Sequence, residues 1–340
     1  MKYFFTDDSV QSIIDNSENA INAFGLKGSC PAIKSKLLYE IANGASDLGL
    51  SCEKFLSPLN YDELACVYIK GKSCFVYDCE YLDNPPENSS VFDIDGICKT
   101  SLPKERIERL EKSKYTMLSR AAKERNSAAV LQKENEKLSQ KHISKPKILN
   151  YILRFIARNG LTPSGETGKS LMRSISCVTA WGVHSLYESV FEDCNRIYTI
   201  TGKLKHANTL LISGLCEAFL QCGCDITVFK CALTGEPEHL CVPSLSLAFL
   251  SENDYHSLPY IQSGIIHTER FLKTRLPENV NFRINLNSEQ IDDYIGRAVF
   301  SMYDALEMHN AVSDLLFDMQ YEHFSKEMKG QIIQSVLGNN

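Results

Sequence analysis

The sequence predicts an α/β protein of two parallel-sheet domains, related by an internal repeat and each carrying a helical appendage. Three observations lead there. A strand, a glycine, a helix, a second glycine and a second strand run through residues 23–56. The same pattern returns at residues 197–230, and a long helix-favouring stretch follows each copy.

The elements of the first copy follow from residue type and spacing. Residues 23–27 are a short apolar run that closes on Gly28, where the chain must turn. Leu37, Leu38, Ile41, Ala42, Ala45 and Leu48 then recur at helical spacing, so they form one apolar stripe. Gly49 sits just past that helix, where a left-handed C-terminal cap belongs. A second strand is expected at residues 52–56, and strand, helix, strand in so few residues is a βαβ unit with a parallel sheet. An apolar strand at residues 74–78 ends on Asp78.

A shift of 174 (202 minus 28) lays Gly28 on Gly202, Leu26 on Ile200, Ser35 on Thr209 and Gly49 on Gly223 without a gap. Phe55 then meets Phe229, and Leu59 meets Leu233. The second helix stripe is Leu211, Ile212, Leu215, Cys216, Phe219 and Leu220, between strands at residues 197–201 and 226–230. A shift of 173 pairs Thr6 with Thr179, Val10 with Val183 and Ser12 with Ser185, and it puts Ser251 opposite Asp78.

Residues 103–147 are charged and nearly free of glycine, and they favour helix. Ile107, Leu110, Tyr115, Leu118, Ala121, Ala122, Val130, Leu131 and Leu138 are the candidate buried positions, and the Lys/Glu run reads as a solvated face. Residues 291–324 echo this stretch. The expected partition is a first domain at 1–158 with its appendage at 103–158, a linker at 159–170 and a second domain at 171–340.

The turn after the first strand carries the chemistry. Gly28, Lys34 and Ser35 match the phosphate-binding pattern G-x-x-x-x-G-K-[ST], except that Ile33 replaces the second glycine. In such a loop backbone amides cradle phosphate, the lysine neutralises it, and the hydroxyl together with a strand-end aspartate holds magnesium. Lys34, Ser35 and Asp78 are the candidates for these roles. Ile33 puts a branched side chain where backbone should approach phosphate, and Pro31 removes an amide donor. The second loop, GKLKHANT from Gly202 to Thr209, has Ala207 for the glycine and Asn208 for the lysine. Lys203 and Lys205 come too early in that loop to replace the lost charge.

Residues 164–170, SGETGKS, imitate the motif, but Pro163 takes the first glycine's place and the preceding residues 147–158 are helical rather than a strand. Gly160 reads as the cap of that helix, so the segment is a glycine-rich linker. The formal charge of -6 argues against nucleic-acid binding. No apolar run is long enough to span a bilayer, and the N-terminus lacks a secretory core, so a cytoplasmic protein with no membrane partner is expected. The thirteen cysteines then read as thiols; Cys222-Gly-Cys224 is the only metal-like spacing, and it lacks a paired knuckle. His184, His256 and His309 stand isolated and read as structural or surface histidines.

Taken together, these residues resemble a bacterial family of tandem P-loop ATPase-like proteins, with two P-loop domains in one chain and a helical insert after each. Its second domain opens with a segment ending in a Thr-Pro-Glu-Gly turn, matched here by Thr179-Ala180-Trp181-Gly182. An Asn-Arg-[Ile/Val]-Tyr strand follows, matched by Asn195-Arg196-Ile197-Tyr198, and then the loop at Gly202. Residues 305–313, ALEMHNAVS, keep His309 of the family's C-terminal His-Asp-x-x-Glu helix and lose both acids. The resemblance implies Mg-ATP as ligand, with Gly28, Lys34, Ser35, Gly202 and Thr209 at the nucleotide and Ser35 and Asp78 at the metal. Three readings follow from the departures. One is a pseudoenzyme with eroded sites that binds nucleotide weakly or not at all. Another is an ATP hydrolase working through Lys34, Ser35 and Asp78. The remotest is a thiol or metal-binding protein. None specifies a protein partner.

Overall fold

The computed structural model describes residues 2–6, 22–82, 89–98, 103–252, 258, 263–321 and 326–338. Strands β1 (Lys2–Phe5), β2 (Asn22–Lys27), β3 (Cys52–Leu56), β4 (Leu64–Ile69), β5 (Cys74–Asp78) and β6 (Ser90–Asp93) form one sheet in the order β1-β3-β4-β5-β2-β6. Strands β7 (Ser170–Arg173), β10 (Arg196–Thr201), β11 (Ile226–Lys230), β12 (Pro237–Val242), β13 (Leu247–Ser251) and β14 (Gly264–His267) form another, β7-β11-β12-β13-β10-β14. A separate hairpin joins β8 (Ser176–Thr179) to β9 (Gly182–Ser185).

The two sheets share one wiring. In each, the fourth strand in chain order after the edge (β5 or β13) pairs in parallel with the strand that feeds the glycine loop. The registers agree: Leu26 lies opposite Asp78 in the first sheet, and Ile200 opposite Ser251 in the second. Even the register shift recurs, between Phe55 and Leu56 and again between Phe229 and Lys230. Both sheets are mixed rather than purely parallel. Residues 57–63, linking β3 to β4, are too few for a crossover, so β4 runs antiparallel to both neighbours, as does β12.

The upstream alignment needs correction. Lys2 pairs with Glu53 and Leu171 with Thr227, so β1 corresponds to β7 at a shift of 169 (171 minus 2) and Thr6 is not the equivalent of Thr179. Val10 and Ser12 lie outside the described residues.

Helices α1 (Pro31–Asp47) and α2 (Ile94–Cys98) belong to the first copy, followed by the long α3 (Lys104–Gln140) and by α4 (Lys145–Arg158). The short α5 (Glu188–Phe191) precedes α6 (Lys205–Gln221), the long α7 (Glu278–Tyr321) and α8 (Lys326–Leu337). The expected stripe of α1 is buried except Leu48, which is the C-cap residue and exposed. Gly49 and Gly223 take the left-handed conformation with φ of 73° and 75°, and Leu50 and Cys224 each donate back into the last turn. Helix α4 buries Ile148, Ile152, Phe155 and Ile156 on one face and packs on α6, where Gly214 lets Ile152 approach.

Packing divides the chain into two units that do not follow the partition expected at 158 and 171. One holds residues 1–122, 179–181 and 299–340; the other holds 123–178 and 182–298. Each long helix is therefore shared: α3 gives its first half to the first unit and its second half to the second, and α7 does the reverse. In consequence α4 packs on α6 of the second copy, and α8 packs on α1 of the first. Both readings of α3, its candidate buried positions and its solvated face, fail at specific residues. Tyr115 and Val130 are exposed, whereas Lys114, Gln132, Asn135 and Ser139 are buried. Among the described residues no helix is long and apolar enough to cross a membrane.

Candidate functional site

In the first copy β2 ends at Lys27 and α1 begins at Pro31, whose fixed φ and missing amide suit a first helical position. Only residues 28–30 remain as a loop. Ile33 is therefore a helical residue, buried at 2% exposure, and the positive φ feared for it does not arise. The loop is also occupied by the protein itself. Ser29 donates its amide to both carboxylate oxygens of Asp95, at 3.0 and 2.9 Å, and its hydroxyl to one of them at 2.6 Å.

Lys34 and Asp78 pair directly with each other, with Nζ 2.9 Å from Oδ1. The lysine is 1% exposed and also binds Glu80 Oε1 at 3.1 Å. Burial alone would lower its pKa, but Asp78 and Glu80 outweigh that and raise it, so it stays charged. Burial holds the Asp78 carboxyl above its ordinary value, and Lys34 only partly offsets this. Glu80 goes the other way, because Lys34 and Lys114 overcome the cost of its burial and lower it. Lys114 Nζ stands 3.5 Å from Glu80 and 2.5 Å from Glu111, closing a network that extends onto α3.

Ser35 does not join Asp78. It is 5% exposed, and its hydroxyl accepts from the Leu64 amide at 2.9 Å, while Asp78 Oδ1 accepts from the Lys34 ammonium. In the first loop the Ser29 amide thus holds a carboxylate, the lysine is paired with Asp78, and the Ser35 hydroxyl accepts a backbone amide.

The second copy repeats the scaffold with neutral groups. Asn208, at the lysine's position, donates from Nδ2 to Ser251 Oγ at 3.0 Å, and Thr268 Oγ1 lies 2.8 Å from Asn208 Oδ1. The Lys203 amide donates to Glu269 Oε1 at 3.3 Å, as Ser29 does to Asp95 exactly 66 residues ahead in each copy. Gly202 has a φ of 153°, and a Cβ there would stand 2.0 Å from Thr268 Oγ1. Lys205 turns its ammonium to Glu238, 3.1 Å away, and to Cys231 Sγ at 3.0 Å. Thr209 is half-buried on α6. This loop opens on a cavity of about 640 Å³, bounded by β10, α6 and the second-unit halves of α3 and α7.

Several functional-looking residues fall elsewhere. The SGETGKS segment packs along the end of α6: Gly168 donates to the Leu220 carbonyl, and Lys169 donates its amide to Asp225 at 2.7 Å. No helix starts there, since Ser170 opens β7. His309 is buried and lies 2.7 Å from Glu63, His184 is a half-buried residue of β9, and His256 lies outside the described residues. Among the described residues no group of three or more His, Cys, Asp or Glu side chains could hold a metal. Burial pushes the Cys30 thiol up to about 11 and Cys216 up to about 12, which keeps both unreactive.

Sequence reasoning missed Asp95, Glu80 and Lys114. Glu80 lies two residues past Asp78, a spacing that could have flagged it; Asp95 and Lys114 are distant in sequence and left no local signal. No protein-family model, curated protein or solved structure matches the chain.

Proposed function

We propose that the protein is a divergent relative of tandem P-loop ATPase-like proteins whose two nucleotide loops are eroded, leaving it non-catalytic or only weakly nucleotide-binding. The observation that carries this reading is the state of Lys34. The one lysine at a motif position is 1% exposed and held by Asp78 and Glu80 at 2.9 and 3.1 Å, so its charge is spent inside the protein. The matching positions of the second copy hold Asn208 and Ser251, an uncharged pair. A phosphate would have to displace two carboxylates in the first copy, and it would find no cation at the motif position in the second.

Phosphate release from Mg-ATP by the purified chain tests the catalytic part. The expected rate equals the blank at millimolar nucleotide. Turnover that disappears in both Lys34→Ala and Asp78→Asn would instead establish an ATP hydrolase working through the first loop.

A further inference from the structure

The cavity at the second loop is not explained by loss of a nucleotide site. Its lining lies wholly within the second unit, and polar residues of α3 and α7 outside the motif, among them Gln132, Glu136 and Asn285, join those of the loop. Three lining residues have unmet hydrogen-bonding capacity. Gln132 is 5% exposed and its amide has no partner among the described residues. One turn along α3, Glu136 Oε1 is shielded from solvent and has no partner, and His206 Nε2 on α6 is in the same condition. The Gln132 amide lines the cavity with its hydrogen bonds unmade, and this points to a polar group that binds there.

The charges say what kind of group it is. Glu136, Glu252 and Glu269 face the cavity, and of its two lysines Lys205 is turned to Glu238. That leaves Lys203 against three carboxylates. His206 adds no compensating charge, because burial and nearby Lys145 lower its pKa and keep it neutral. Such a wall repels a polyphosphate and attracts an ammonium, whose N–H groups the Glu136 carboxylate and the Gln132 carbonyl would accept together.

We propose that the second-unit cavity is a binding site for a small polyamine-type ligand, with an ammonium group held between Glu136 and Gln132. The inference rests on the reading of the second loop as a lost phosphate site, and it is independent of the first loop. The volume of about 640 Å³ lies within the range of small-molecule sites.

Calorimetric titration of the full chain with spermidine, and separately with Mg-ATP, tests this. The expected result is saturable one-site spermidine binding, at least tenfold weaker in Glu136→Gln and abolished in Asn285→Trp. Asn285 is an exposed position on the cavity wall, so filling the cavity there leaves the fold intact, and an unchanged melting temperature checks that. No spermidine binding, or binding indifferent to both substitutions, overturns the proposal. If Mg-ATP binds in a way that Asn285→Trp blocks, the reading of the second loop falls as well; spermidine failure without Mg-ATP binding overturns this inference alone.

Discussion

Lys34 and Asp78 are joined by a 2.9 Å ion pair at the same two places where the second copy holds Asn208 and Ser251, 3.0 Å apart. One scaffold position thus carries a buried charge pair in one copy and a neutral hydrogen bond in the other. Removing one partner of a buried pair strands the other, which costs about 3–5 kcal/mol. Lys34→Ala is therefore expected to destabilise the first unit by about that much, read from urea unfolding. Trp181, the only tryptophan and 4.7 Å from Tyr61 in that unit, supplies the fluorescence signal. The double substitution Lys34→Asn with Asp78→Ser, which copies the second unit, should recover at least half of the loss. No recovery would show that the two positions are not equivalent.

Glu80 sets an acid dependence. Its folded-state pKa is lowered from the ordinary 4.5, with Lys34 and Lys114 overcoming burial. A lowered carboxyl pKa adds stability that is present above the unfolded value and is lost as pH falls through the folded value. The wild type should therefore lose stability below about pH 4.5 more steeply than Glu80→Gln, in urea midpoints measured between pH 7 and pH 3. Parallel curves would contradict the network.

The two loop glycines are not equally constrained. Gly202 combines a φ of 153° with a would-be Cβ 2.0 Å from Thr268 Oγ1. Gly28 has no positive φ, and its would-be Cβ meets Ile94 Cβ at 3.1 Å. Gly202→Ala should cost about 1–3 kcal/mol in thermal or urea unfolding, and Gly28→Ala distinctly less. The reverse order would mean that the second loop relaxes freely.

Thiol reactivity separates the cysteines. Cys30, Cys66, Cys74 and Cys216 are buried with pKa values raised by desolvation, whereas Cys79 and Cys222 are partly exposed. Native-state alkylation at pH 8, followed by mass spectrometry, should label Cys79 and Cys222 first. Rapid labelling of the buried set would revive the redox reading.

Much of the fold was legible because it is local. The strands at residues 52–56, 226–230 and 74–78 were readable from apolar runs between turn signals, and the capping glycines from the end of each stripe. Non-local features were not. The antiparallel β4 and β12 depend on which strands pair, and the exchange of α4 and α8 depends on which sheet each reaches. Lys114 and Asn135 look like surface residues in a charged helix, and only the packing of α3 buries them. At the loop the motif singled out Lys34 and Asp78, which do lie side by side, but Asp95, which occupies the Ser29 amide, lies 66 residues away.

Equilibrium binding of Mg-ATP to the wild type and to Lys34→Ala tests the central claim most directly. A lysine already neutralised by Asp78 and Glu80 predicts no saturable binding at millimolar nucleotide in either protein. A dissociation constant tighter than about 100 μM in the wild type, a binding free energy of more than about 5 kcal/mol, that is lost in Lys34→Ala would contradict it.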